Sequence, residues 1–206
     1  MKKIIQDQRL FFHTNQTKST SFRIKALKKL KSILQENETL LYEAIYIDFK
    51  KSAFDTYTNE LGLLYKDIDE AILHLKKWSK IKSVSTNWVN FPAKSYIVPE
   101  PFGNILIIGA WNYPYQLSLA PAIAAISAGN TIILKPSEVP KNTSRALATL
   151  INKNFNPKFF HVIEGGVDET TYLLNQKWDK IFFTGILSSI DDIIGFGSLG
   201  IILRSF

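Results

Sequence analysis

Two hydrophobic periods divide the chain. In the first 80 residues apolar positions recur every three or four residues, as on one face of a helix. Ile24, Leu27, Leu30 and Leu34 form one such stripe within Arg23 to Leu34, and Lys25, Lys28, Lys29 and Lys31 fall mostly off it. Glu38 to Ile47 is a second helical candidate. Asp67 to Lys80 is a third, with Ile68, Ile72, Leu75 and Trp78 on one stripe. It opens with Asp67, Asp69 and Glu70 and closes with Lys76, Lys77 and Lys80, so both ends complement the helix dipole. This part of the chain reads as a helical layer. Lys82 to Pro101 is richer in Ser, Thr, Asn and Pro. It reads as a loop and then an extended segment, Tyr96-Ile97-Val98, leading into the next region.

From Pro101 onward the pattern becomes short, unbroken apolar runs. Ile105-Leu106-Ile107-Ile108 is bounded by glycines and suits a strand covered on both faces. Gly109 to Pro114 breaks the pattern, and Gln116 to Ser127 is long and alanine-rich enough for a buried helix. Gly129-Asn130 stops that helix, and Thr131 to Leu134 is a second β-branched run. Strand, loop, helix and strand in this order predict a βαβ unit with parallel strands. The alternation continues. Asn142 to Asn152 is helical with Asn142 or Thr143 near its cap, and Phe159 to Ile163 is a third strand. Gly165-Gly166 is a turn, Asp168 to Asn175 a short helix, and Lys180 to Phe183 a fourth strand. The expected fold is α/β, an open parallel sheet behind a helical layer. Ligands of such sheets bind at the carboxyl ends of the strands. That places Trp111-Asn112 beside Lys135-Pro136-Ser137-Glu138 at one rim.

Composition narrows the function classes. The 206 residues are 46% hydrophobic with a mean hydropathy of -0.01, ordinary for a globular chain. No run of about 20 apolar residues exists, so no membrane span is expected. The N-terminal MKKIIQDQRLFFHTNQ lacks the apolar core of a secretory signal, and the expected location is cytoplasmic. There are no cysteines, which excludes disulfides and thiolate metal sites. Only His13, His74 and His161 occur, too far apart for a histidine metal site. The net charge of +7 lies wholly in residues 1–99, with 17 basic against 10 acidic residues, while residues 100–206 balance at 8 each. The lysines are not clustered with aromatic residues. They read as solvated helix faces and not as a surface for nucleic acid or an anionic membrane.

The rim motifs resemble the aldehyde dehydrogenase superfamily, most closely its class 3 branch. The likeness is carried by Gly109-Ala110-Trp111-Asn112-Tyr113-Pro114, Ala128-Gly129-Asn130 and Leu134-Lys135-Pro136-Ser137-Glu138. It reaches back to Asp48-Phe49-Lys50-Lys51 and Asn59-Glu60-Leu61, and forward through Glu164-Gly165-Gly166-Val167 to Phe182-Phe183-Thr184-Gly185. The resemblance implies oxidation of an aldehyde to a carboxylic acid with NAD or NADP as cofactor. It implies that Asn112 donates to the developing oxyanion. It also implies that Trp111, Lys135, Ser137, Glu138, Gly165, Gly166, Thr184 and Gly185 line the cofactor site, Lys135 and Glu138 at the adenosine ribose. A homodimer is expected of the complete family member.

Two elements of that chemistry are missing. The resemblance implies a nucleophilic cysteine, and the sequence has none. It implies a glutamate base in a Glu-Leu-Gly-Gly motif after the Phe-Thr-Gly strand, and Ile186-Leu187-Ser188-Ser189-Ile190 follows instead. The expected organisation is therefore a helical layer with a lead-in strand over residues 1–100, a partial Rossmann-like NAD(P)-binding region over 101–185, and a divergent tail over 186–206. The catalytic domain is absent from this organisation, which makes the chain an N-terminal fragment, inactive alone. The alternative is a non-catalytic nucleotide-binding or interaction remnant. Gly195-Phe196-Gly197-Ser198-Leu199-Gly200 fits G-x-G-x-x-G. A dinucleotide site would need a following helix and an acid about 20 residues on, and only six residues remain.

Overall fold

The computed structural model describes residues 1–185. The tail motifs named above lie outside the described residues. Five helices precede the sheet: α1 Lys2–His13, α2 Thr20–Glu36, α3 Glu38–Phe49, the single turn α4 Ala53–Thr56, and α5 Gly62–Trp78. Tyr57–Leu61 between α4 and α5 is a π-helical turn. A small pair follows, β1 Lys82–Val84 and β2 Ser95–Ile97. Then come β3 Asn104–Ile108, α6 Pro114–Ala128, β4 Thr131–Lys135, α7 Lys141–Asn154, β5 Phe160–Val162, α8 Val167–Leu174 and β6 Lys180–Phe183.

The four later strands form one parallel sheet in the order β5-β4-β3-β6. Residue alternation explains why β3 and β4 needed unbroken apolar runs. Ile105, Ile107, Ile132 and Leu134 pack beneath α6 and α7, with α2, α3 and α5 stacked over those helices. Leu106, Ile108 and Ile133 face the opposite side, against Leu173 and Leu174 of α8. The chain steps outward from β3 to β4 to β5, then returns to the far side of β3 for β6. The switch in direction lies between β3 and β6, where a doubly wound sheet opens a crevice.

The helices expected ahead of the sheet are present, and α1 among them reaches the α8 face, where Ile5 packs with Leu106 and Ile108. Gln8, on the same helix, is fully buried, and its amide donates to the carbonyls of Ile132 at 2.8 Å and Pro157 at 2.9 Å. The Tyr96 segment is extended as expected, forming β2 ahead of β3, but it pairs outside the main sheet. Tyr96 pairs antiparallel with Ser83, and Ile97 with Lys82, as a separate hairpin. Pro99 and Pro101 stand between that segment and β3, and proline cannot donate to a ladder. Among the described residues no helix is long and apolar enough to cross a membrane.

Candidate functional site

Parallel register brings the ends of the strands to a common rim. Ile108 lies beside Lys135 on one side and Phe183 on the other. The amide of Gly109 donates to the Lys135 carbonyl at 3.0 Å, and that of Thr184 to the Ile108 carbonyl at 3.1 Å. The amide of Ile163 donates to the Leu134 carbonyl at 2.9 Å. Four segments are thereby laid side by side: Thr184-Gly185, Gly109–Asn112, Lys135–Glu138 and Gly165-Gly166. All nine residues expected at the site lie in these segments.

Their environments differ. Lys135 ends a strand covered on both faces and is only 1% exposed. Its ammonium donates to the Pro136 carbonyl at 2.8 Å and lies 3.6 Å from the Glu138 carboxylate, which faces solvent. Burial pushes the lysine pKa down, and the Glu138 and Glu169 carboxylates partly offset this. Ser137 shapes the same loop. Its hydroxyl accepts from the Val139 amide at 3.3 Å, and its carbonyl accepts from the Ser144 hydroxyl at 2.6 Å. Trp111 is half exposed, with Phe49 6.2 Å away ring to ring.

The two glycines after β5 are not equivalent. Gly165 has φ +146°, and a Cβ there would meet the Glu169 side chain at 2.4 Å. Gly166 has nothing within 4 Å of a built Cβ. Its amide donates to the Glu169 carboxylate at 2.7 Å. The first turn of α8 is thus satisfied by the chain's own acid, as in a capping box.

Three charged residues of the first half hold this rim. None of them was expected among the site residues, although their motifs belong to the resemblance. Glu60 is wholly buried, and one carboxylate oxygen accepts from the amides of Tyr115 at 2.8 Å and Gln116 at 3.2 Å. Those amides open α6, whose Pro114 start brings no capping side chain of its own. The other oxygen of Glu60 accepts from Lys51 at 3.1 Å. Burial pushes the Glu60 carboxyl up, and the lysine and the two amides counter it. Lys51 also donates to the Asn112 carbonyl at 2.7 Å and sits 4.3 Å above the Tyr113 ring. The Asn112 side-chain amide is exposed and has no partner among the described residues.

Asp48 does for α7 what Glu60 does for α6. It accepts from the Asn142 amide at 3.2 Å and side chain at 2.8 Å, and from the Thr143 amide and hydroxyl, each at 2.8 Å. Burial alone would raise its carboxyl; these four hydrogen bonds overcome that and hold it below its usual range. The expected cap at Asn142 or Thr143 is therefore corrected. Both lie inside the helix as donors, and the acceptor comes from 94 residues earlier. The signal in the sequence was negative: α6 and α7 both begin beside prolines without a Ser, Thr, Asp or Asn at the cap.

This is the carboxyl-end rim of a doubly wound sheet, and its loops are fastened by carboxylates from the helical half. Comparison with known proteins places it further. Residues 1–194 match the aldehyde dehydrogenase family, and the chain belongs to that family. The match runs nine residues past Gly185, where the motif resemblance ends. The 4,4'-diaponeurosporen-aldehyde dehydrogenase of Staphylococcus aureus is 46% identical over 179 residues, 87% of this chain and 39% of that protein. Aldehyde dehydrogenase family 3 member I1, chloroplastic, of Arabidopsis thaliana is 41% identical over 182 residues, 88% of this chain and 33% of that protein. The chain thus spans little more than a third of the length of these relatives. The solved substrate-bound state of Staphylococcus aureus AldH superposes with a TM-score of 0.95 at 41% identity, over 98% of this chain and 45% of that one. The fold alone is shared with a Methanocaldococcus jannaschii enzyme complexed with NADP, and with a Staphylococcus aureus betaine aldehyde dehydrogenase variant holding NAD+, at 19% and 21% identity.

Proposed function

We propose that this chain supplies the cofactor-side and oxyanion-side half of an NAD(P)-dependent aldehyde-oxidising site. The observation that carries the reading is the convergence of Asn112, Lys135 and Glu138 on one rim beside the β3–β6 switch point. Lys135 has a buried ammonium with a single close hydrogen bond, and Glu138 an exposed carboxylate. A lysine donor beside a carboxylate acceptor fits a ribose diol. Trp111, Ser137, Thr184, Gly185, Gly165 and Gly166 complete the lining. Gly166 leaves open space above its Cα, while its amide is already given to Glu169. NAD(P)+, when bound, takes up the hydride that the aldehyde carbon gives up. Asn112 donates a hydrogen bond to the carbonyl oxygen as a nucleophile adds to that carbon. Such a donor contributes on the order of 10²–10³ in rate.

The nucleophile and the base are not among these 206 residues, which hold no cysteine. Alone, the chain does not oxidise aldehydes. A cytoplasmic location and a homodimer of the complete enzyme belong to the same reading. The hairpin offers an apolar surface for pairing, with Trp88, Val89 and Phe91 each more than 80% exposed. Titration of the 206-residue chain with NAD+ and NADP+, followed by NMR, tests the assignment. Weak binding that moves resonances of Trp111, Lys135 and Glu138 is expected, with no reduced cofactor on adding an aldehyde. Shifts confined to the lysine-rich helices would overturn the cofactor site. Turnover near 1 per second, an ordinary enzyme rate, would overturn the inactivity.

A further inference from the structure

Lys51 and Glu60 grip both ends of the segment that joins β3 to α6. Glu60 holds the amides of residues 115 and 116, and Lys51 holds the carbonyl of residue 112 and the ring of residue 113. The ion pair between them, at 3.1 Å, makes the two grips one unit. Helix capping accounts for Glu60 but not for the bond from Lys51 to Asn112. A donor on that carbonyl fixes the peptide plane after Asn112, and with it the direction in which the Asn112 side chain leaves the backbone. The unit also depends on its own charge balance. Glu60 is fully buried, and a buried carboxylate without its cation takes up a proton instead.

We propose that Lys51, held by Glu60, is a positioning residue that orients the side-chain amide of Asn112. The inference rests on the reading of Asn112 as the oxyanion donor and adds what aims it. Lys51 touches neither substrate nor cofactor in this reading; it acts through the backbone of residue 112.

The test uses the full chain with 15N labelling and three variants, Lys51→Met, Lys51→Arg and Glu60→Gln. The side-chain amide signal of Asn112, assigned by its disappearance in Asn112→Ser, is the direct readout. Amide exchange at Tyr115 and Gln116 reports the helix cap, and exchange at Leu106 and Ile133 reports the sheet. In Lys51→Met the Asn112 side-chain signal shifts and its order parameter falls, while Leu106 and Ile133 keep their protection. Lys51→Arg restores the signal, because a guanidinium still donates to both oxygens. Glu60→Gln weakens the grip on Lys51 and gives a smaller shift in the same direction. An Asn112 signal unmoved in Lys51→Met overturns the proposal, whether or not Tyr115 and Gln116 lose protection. So does a signal that Lys51→Arg fails to restore. No aldehyde or cofactor is present, so these outcomes are independent of the titration that tests the site itself.

Discussion

Replacing Asp48 with alanine removes one carboxylate and four hydrogen bonds to the start of α7. The Asn142 groups turn to water, because that residue is exposed. The Thr143 amide and hydroxyl cannot do so, since Thr143 is fully buried. Loss of a helix cap costs about 1 kcal/mol, and stranding buried donors costs about 1–3 kcal/mol. The expected destabilisation is about 2–4 kcal/mol, a large share of the ~5–15 kcal/mol that keeps a domain folded. Urea unfolding followed by circular dichroism measures it. With a slope of about 2 kcal/mol per molar, the midpoint falls by roughly 1–2 M and the slope itself stays unchanged. Asp48→Asn retains one acceptor oxygen and falls about halfway. Thr143→Val removes the hydroxyl alone, and its effect is not additive with Asp48→Ala because the two share a bond. A loss below about 0.5 kcal/mol in Asp48→Ala, the level of an ordinary surface change, would show that the cap is ornamental.

Acid stability follows from the same group. The Asp48 carboxyl lies below its usual range in the folded chain, so the folded state binds its proton less readily than the unfolded one. The stability it supplies is present above the ordinary carboxylate pKa of about 4 and is lost as pH falls through the folded value. Asp48→Asn should flatten that part of a pH titration of stability. Gly165→Ala should cost about 1–3 kcal/mol, because the backbone conformation favours glycine and the new methyl meets the Glu169 side chain. Gly166→Ala should stay within about 0.5 kcal/mol, and thermal unfolding of the pair compares them directly. Substituting Trp88, Val89 and Phe91 together by serine should leave the melting temperature unchanged, and sedimentation should show less self-association in the variant.

The sheet was legible because burial on both faces leaves no room for alternation. Ile105–Ile108 and Thr131–Leu134 could hardly be read otherwise, and the helices between them follow from length and stop signals. α1 escaped as an individual element because a polar residue, Gln8, occupies one of its core positions. Its burial makes sense only once Ile132 and Pro157 offer their carbonyls, a relation spanning 124 residues. The same distance hid the roles of Asp48, Lys51 and Glu60. Local rules look for a cap on the helix itself, and α6 and α7 obtain theirs from elsewhere. At the rim, strand order and motifs together put the four segments side by side, but gave no account of their environments. The motif names Lys135 but carries no sign of its depth: the strand end buries its ammonium, while Glu138 three residues on faces solvent.

The fastening of the rim from the first half also sets an order of events during synthesis. Asp48 leaves the ribosome well before Asn142, with 94 residues between them. At about 5–20 residues per second that gap lasts roughly 5–20 s. Glu60 waits 55 residues for Tyr115, and Arg9 waits 170 for Asp179. The helical half therefore emerges with its cargo of caps unspent and its apolar stripes uncovered. The loops after β3 and β4 take their final shape only when both partners have been made. A nascent chain halted before residue 140 has made Asp48 but not its partners Asn142 and Thr143, and strands β5 and β6 are still to come.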